Sequence, residues 1–179
     1  MTRLMTTAAP ARVDLFRIPT RIMFGRGVAM KVAEPLEQVG AERVLVVTDP
    51  GVIKVGLVEP ILERLRSAGI AYEIYDGVVP DPTVQDVDRC YERAKAMQAD
   101  ALVAVGGGSS IDTAKMAAVL MTNGGSVLDY VGIDKVPKLA APVVAIPTTA
   151  GTGAEITINS VIADPAQHKK LVIISPNAT

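Results

Sequence analysis

The stretch that most constrains the fold is Ala101–Lys115, ALVAVGGGSSIDTAK. An apolar run ends in three glycines, two serines follow, and the pattern then turns helical. A continuous apolar run of this length, without a polar alternate, predicts a strand buried on both faces. Strands of that kind occur in parallel sheets with helices packed on each side. A second such run, RVLVVTD at Arg43–Asp49, predicts another.

Helical spacing fills the gaps between strands. Leu57, Val58, Ile61, Leu62 and Leu65 recur as one helix face, with Pro60 inside the pattern, where the helix either begins or bends, and Gly69 as its stop. AYEIYDGVV reads as a strand broken by PDPT, where Thr83 and Asp86 form a capping-box pattern ahead of Val84, Val87, Tyr91, Ala94 and Met97. PVVAIP is a further strand ending at Pro147, and TTAGTGAE is a polar loop. TINSVIAD and KKLVIIS predict a late hairpin, and FRIPTRIMFGRG predicts a short early one, with Pro19 and Thr20 near its turn and Gly25–Gly27 as a turn. The expected fold class is therefore α/β: a mostly parallel, Rossmann-like sheet with helices on both faces, plus an N-terminal and a late β-hairpin. Residues 1–12 read as a flexible tail and 13–179 as one dinucleotide-binding domain.

Composition narrows the function classes. Eighteen basic against 19 acidic residues, with no basic stripe, argue against nucleic acid or a membrane surface as partner. A single cysteine, Cys90, rules out an internal disulfide and suits a reducing compartment, so the expected location is cytoplasmic. Cys90 itself, with no His or Lys arranged beside it, reads as a structural thiol.

Ligands of open α/β sheets bind beyond the carboxyl ends of the strands. Asp49, Gly106, Gly107, Gly108, Ser109 and the segment Thr148–Thr152 all follow strands, so they should meet on one rim. Glycine permits close backbone approach, and a helix N-terminus offers unpaired N–H groups and partial positive charge. Together they make an anion seat, with phosphate the usual occupant. Ser109 reads as the N-cap, with Asp112 reaching back to it. The alternative is a tight strand-to-helix turn that binds nothing. The loop is neither G-x-G-x-x-G nor a P-loop. Asp49 suits hydrogen bonding to an adenosine ribose and would repel a 2′-phosphate, favouring NAD over NADP; it equally suits a turn before Pro50–Gly51. Lys115 reads as either a phosphate neutraliser or a solvated helix lysine, and Glu155 as an orienting residue.

FGRG, VTDPGV, GVVPDPT, AVGGGSSIDTAK, AIPTTAGTGAE and TINSVI, in that order, resemble the iron-containing (group III) alcohol dehydrogenase family, over Phe16 to the last residue. The resemblance implies Asp49 as the ribose carboxylate, and Gly107, Gly108 and Ser109 as the pyrophosphate cradle, with Asp112 supporting it. It further implies Thr148, Thr149 and Thr152 along the phosphates and nicotinamide, and Thr157 and Lys170 as further cofactor contacts. Asp81 stands where many members have Asn.

The activity implied is hydride transfer between a small alcohol or aldehyde and NAD, with Fe²⁺ or Zn²⁺ as Lewis acid in the complete enzyme. The family's metal ligands come from a helical C-terminal domain that this chain is expected to lack, leaving it inactive alone and its catalytic residues unassigned. A homodimer is compatible with the resemblance. Asp164 and His168 copy the spacing of the family's metal pair, but Pro165 and the flanking strands predict a turn, so no metal site is expected there. Alternatives on the same scaffold are a dehydroquinate-synthase-like lyase and a glycerol-type dehydrogenase. From another class comes a non-catalytic dinucleotide-binding module.

Overall fold

The computed structural model describes residues 20–178. Four parallel strands form the main sheet: β1 Arg43–Val47, β2 Ala71–Tyr75, β3 Ala101–Gly106 and β5 Val143–Pro147, in the order β2-β1-β3-β5. Strands β1 and β3 are central, and their apolar runs are explained by burial on both faces. Leu45, Val47, Leu102 and Ala104 face one side; Val44, Val46, Ala101, Val103 and Val105 face the other.

Helices cover each face. Helices α1 (Ala33–Gln38) and α3 (Glu59–Ser67) pack Leu36, Ile61, Leu62 and Leu65 on one side. Helices α4 (Val84–Ala96) and α5 (Gly108–Asn123) pack Val87, Cys90, Ala94, Ile111, Ala114 and Ala118 on the other. Pro60 sits in the first turn of α3, where a missing N–H costs nothing. The Thr83 box is formed: its hydroxyl accepts from the Asp86 N–H at 3.3 Å, and its own N–H donates to Asp86 Oδ2 at 2.7 Å. Burial pushes the Cys90 thiol pKa up, as a structural role requires.

A second, smaller sheet contains β4 (Gly132–Ile133), β6 (Asn159–Asp164) and β7 (Lys169–Ile174), in the order β4-β7-β6. Strands β6 and β7 are the predicted late hairpin, antiparallel from Asn159↔Ile174 to Asp164↔Lys169. Ile162 and Ile173 join the same core as α5. Helix α5 thus lies between the two sheets, and its residues from Ser110 to Leu120 are all buried.

The early hairpin is a correction. Its first strand and turn fall largely outside the described residues, but its second does not, and residues 21–24 carry no strand pairing. Ile22 and Phe24 are 55% and 101% exposed, so no packed face among the described residues holds them extended. The turn at 25–27 is present, with Gly27 at φ 74° leading into a 3₁₀ turn at Val28–Lys31. No helix among the described residues is long and apolar enough to cross a membrane.

Candidate functional site

The carboxyl ends of β1, β3 and β5 open onto one cleft of about 750 Å³. Its walls come from Asp49–Val52, from Val78–Pro80 beyond β2, from Gly107–Ser110, and from Thr148 and Thr149. The strand-end rule therefore places Asp49, Gly107, Gly108, Ser109, Thr148 and Thr149 together. The volume falls in the range of small-molecule and cofactor sites.

Helix α5 begins with Gly107 as its N-cap, and no side chain caps it. The first intrahelical bond runs from the Ile111 N–H to the Gly107 carbonyl at 3.1 Å. The N–H groups of Gly108, Ser109 and Ser110 find no acceptor among the described residues. This corrects the expected capping pair. Ser109 lies one step inside the helix rather than at its N-cap, and Asp112 turns away from the cleft. Asp112 Oδ2 instead accepts from the Val161 N–H of β6 at 3.0 Å. Burial raises the Asp112 pKa, with the Val161 bond and the nearby Lys115 charge opposing the rise.

The glycines answer to packing as well as to a ligand. A methyl built at Gly106 would lie 2.3 Å from Ser110 Oγ and 2.7 Å from Ser110 Cβ. One at Gly107 would lie 3.0 Å from Thr149 Oγ1, and one at Gly108 3.6 Å from Thr152 Cβ. The Thr148–Thr152 segment therefore lies directly over the glycine loop. It is tied there by the Thr148 N–H, which donates to the Gly106 carbonyl at 2.9 Å.

Asp49 takes the turn role, and its second carboxylate oxygen is left over. Its Oδ1 caps helix α2 (Pro50–Lys54), accepting from the Gly51 and Val52 N–H groups at 2.9 and 3.1 Å. Its Oδ2 lies against Gly106 in the cleft wall, with no hydrogen bond among the described residues.

Other expected contacts are placed elsewhere. Gly106 sits behind the cleft as the last residue of β3. Thr152 does not line the cleft; its hydroxyl donates to Glu155 Oε2 at 2.8 Å. Thr157 is likewise outside the lining, and its carbonyl accepts from Lys115. Lys170 pairs with Asp81 Oδ1 at 2.8 Å on the surface, both side chains more than half exposed. Asp81 adopts φ 52° next to Pro80, which does line the cleft.

Lys115 fits neither of its expected roles. It is 3% exposed, and its ammonium donates to the carbonyls of Ala154, Thr157 and Asn159 at 3.2, 2.8 and 2.6 Å. Burial lowers its pKa to about 8 against the pull of Asp112 and Glu155.

Two parts of the cleft were given no binding role in the sequence. Val55 follows the short helix α2, and Leu57, expected on the face of α3, instead lies ahead of that helix, exposed and in the cleft lining. Val78–Pro80 follow β2, which ends at Tyr75, earlier than the apolar run that suggested a strand through Val79. Applying the strand-end rule to β2 as well would have found them.

Asp164 and His168 occupy the β6–β7 turn as expected, with His168 at φ 51° and the Asp164 carboxylate accepting from the Ala166 and Gln167 N–H groups. No group of three or more His, Cys, Asp or Glu able to hold a metal exists among the described residues.

Comparison with known proteins agrees with this geometry. The family model for iron-containing alcohol dehydrogenases matches residues 19–179. The NAD-dependent methanol dehydrogenase of Bacillus methanolicus is 42% identical over 164 residues, covering 92% of this chain and 43% of the relative. A solved 1,3-propanediol oxidoreductase superposes with a TM-score of 0.89 at 35% identity, covering 93% of this chain and 44% of that one. The sulfoacetaldehyde reductase of Bifidobacterium kashiwanohense, solved with NAD+, gives a TM-score of 0.85 at 31% identity, over 94% and 44% of the two chains. The chain thus spans less than half the length of each relative. Matched along nearly all of its own length, it belongs to the iron-containing alcohol dehydrogenase family.

Proposed function

We propose that this chain is the dinucleotide-binding part of an NAD(H)-dependent enzyme that interconverts a small alcohol and its carbonyl counterpart. The observation that carries the reading is the uncapped N-terminus of α5. Three free N–H groups at the positive end of a 16-residue helix open into a cleft lined by strand ends. That is the arrangement a pyrophosphate requires. The fit is supported by Thr148 and Thr149 across the gap and by the free Oδ2 of Asp49, which suits a ribose hydroxyl. The NAD named for the methanol dehydrogenase and held by the sulfoacetaldehyde reductase points to the same ligand.

In this reading Gly108–Ser110 bind the diphosphate through the backbone, and Ser109 and Thr149 add hydroxyl donors. Asp49 orients the adenosine ribose and selects against a 2′-phosphate. When bound, the dinucleotide supplies the hydride chemistry; the chain's task is to hold and orient it. Iron, named for the family, does not fit the described residues, because they offer no set of ligands for it. The role proposed for this chain therefore ends at the dinucleotide, and on its own the chain turns over no alcohol. A homodimer belongs to the same reading, carried by the resemblance; the division at residue 12 and a cytoplasmic location are proposed from the character of the first residues and from the single cysteine.

Fluorescence titration of the chain with NADH and NADPH tests the proposal. Saturable NADH binding, weaker NADPH binding and no alcohol oxidation are expected. An absence of saturable binding by either nucleotide overturns it.

A further inference from the structure

We propose that Lys115 is a positioning residue for the dinucleotide: its ammonium pins the far end of the Thr148–Thr157 loop to α5 and so sets the width of the phosphate gap. The inference rests on the dinucleotide reading above. One helix carries both halves of the argument. Its first turn presents the N–H groups of Gly108–Ser110 to the cleft. Its second turn sends Lys115 into the segment that continues the opposite wall.

Within that loop the other bonds are local. The Ile156 and Thr157 N–H groups both donate to the Gly153 carbonyl, and Thr152 bonds Glu155. Among the described residues, hydrogen bonds attach the loop to the body of the protein through the Thr148 N–H at one end and through Lys115 at the Ala154 and Thr157 carbonyls at the other; just beyond, Lys115 also reaches the Asn159 carbonyl, and the Ile158 carbonyl accepts from the Ser175 N–H. Asp112, three residues before Lys115, adds a fixed point just beyond, at the Val161 N–H. Thr149 and Thr152 hang between these anchors, against Gly107 and Gly108.

The chemistry of the cage demands a cation. An ammonium has three donors and no acceptor, matching three converging carbonyls. A neutral amine has two donors and would turn a lone pair on the third carbonyl. The charged groups facing Lys115 are Asp112 from its own helix and Glu155 from the loop. Both favour the cation, while burial opposes it, so the proton is held only up to about pH 8. Above that the loop should loosen while the sheets remain intact.

The test compares the wild-type chain with Lys115→Met, which keeps the length and removes every donor. Amide exchange protection of residues 154–161, corrected for intrinsic rates, and the Kd for NADH are measured from pH 7 to 9.5. At pH 7 the variant is expected to lose at least tenfold in segment protection and tenfold in NADH affinity, with β1 and β3 still protected. In the wild type both quantities fall with rising pH, and in the variant both are flat. Wild-type protection and affinity in the variant overturn the proposal. If the variant fails to fold, the wild-type series decides: loss of protection confined to 154–161 at alkaline pH supports it, and a flat profile overturns it. Failure of the wild type to bind NADH sinks the dinucleotide reading, whereas NADH binding indifferent to Lys115→Met sinks only this inference.

Discussion

Gly106→Ala isolates the contact between the glycine loop and its helix. The added methyl would lie 2.7 Å from Ser110 Cβ, where carbon atoms ordinarily rest about 3.5–4.0 Å apart. The 2.3 Å approach to Ser110 Oγ can be relieved by turning the hydroxyl, but the Cβ is fixed by the helix backbone. Strand β3 and helix α5 must therefore separate by about 1 Å, in a core where Leu102, Ala104, Ile111 and Ala114 are all fully buried. Overpacking of this kind costs about 1–3 kcal/mol. The smaller unfolded-state entropy of alanine returns less than about 1 kcal/mol. The expected loss is about 2 kcal/mol, with weaker NADH binding, since the shift moves the N–H groups of Gly108–Ser110.

The assay is urea unfolding followed by circular dichroism on four proteins: wild type, Gly106→Ala, Ser110→Gly and the double variant. Ser110→Gly removes both clashing atoms, so the double variant should recover the part of the loss due to the clash, while the strain of alanine at φ 159° persists. Gly108→Ala is the control. Its methyl would meet Thr152 at 3.6 and 3.8 Å, an ordinary contact, and alanine favours the helix, so stability should hold or rise slightly. A Gly106→Ala protein within about 0.5 kcal/mol of wild type, or a double variant without recovery, refutes the argument from the clash.

Two further outcomes follow from the geometry. Asp49→Asn keeps an oxygen that can cap α2, so unfolding midpoints should stay near wild type, while NADPH affinity rises relative to NADH; Asp49→Ala loses the cap as well, costing about 1 kcal/mol. Unchanged nucleotide preference in Asp49→Asn would remove the carboxylate from the specificity argument. For Lys115, the folded pKa of about 8 lies below the ordinary 10.5, so the unfolded chain binds the extra proton between those values. Stability should therefore rise with pH across that window by up to about 3 kcal/mol relative to Lys115→Met, even as the loop loosens. Denaturation midpoints at pH 7.5 and 10 check the sign, and a fall relative to the variant would refute burial as the cause.

Legibility in the sequence tracked how locally each feature is determined. The buried runs at Val44–Val47 and Ala101–Val105, short, β-branched and alternating with helical segments, declared strands of a parallel sheet. The Thr83–Asp86 box and the β6–β7 hairpin are decided by residues a few positions apart, and both formed as read. Ser109 and Asp112 matched the same local box but were diverted by a tertiary partner, the Val161 N–H, 49 positions on. Lys115 was misread for the same reason: its three acceptors lie 39 to 44 residues away, and a helix lysine looks alike in sequence whether it meets water or carbonyls. The second strand of the early hairpin did not form because its apolar residues, Ile22 and Phe24, have no face among the described residues to pack against.

The placement of α5 between two sheets has a consequence for how the chain is made. The helix is complete at Asn123, but one of its covers, the β6–β7 hairpin, ends at Ile174. At about 5–20 residues per second of synthesis, a largely apolar helix waits several seconds with that side bare. Lys115 likewise lacks its acceptors until residues 154–159 are joined. Released chains ending between residues 125 and 155 should therefore recruit hydrophobe-binding chaperones, and chains that reach the end of the hairpin should not.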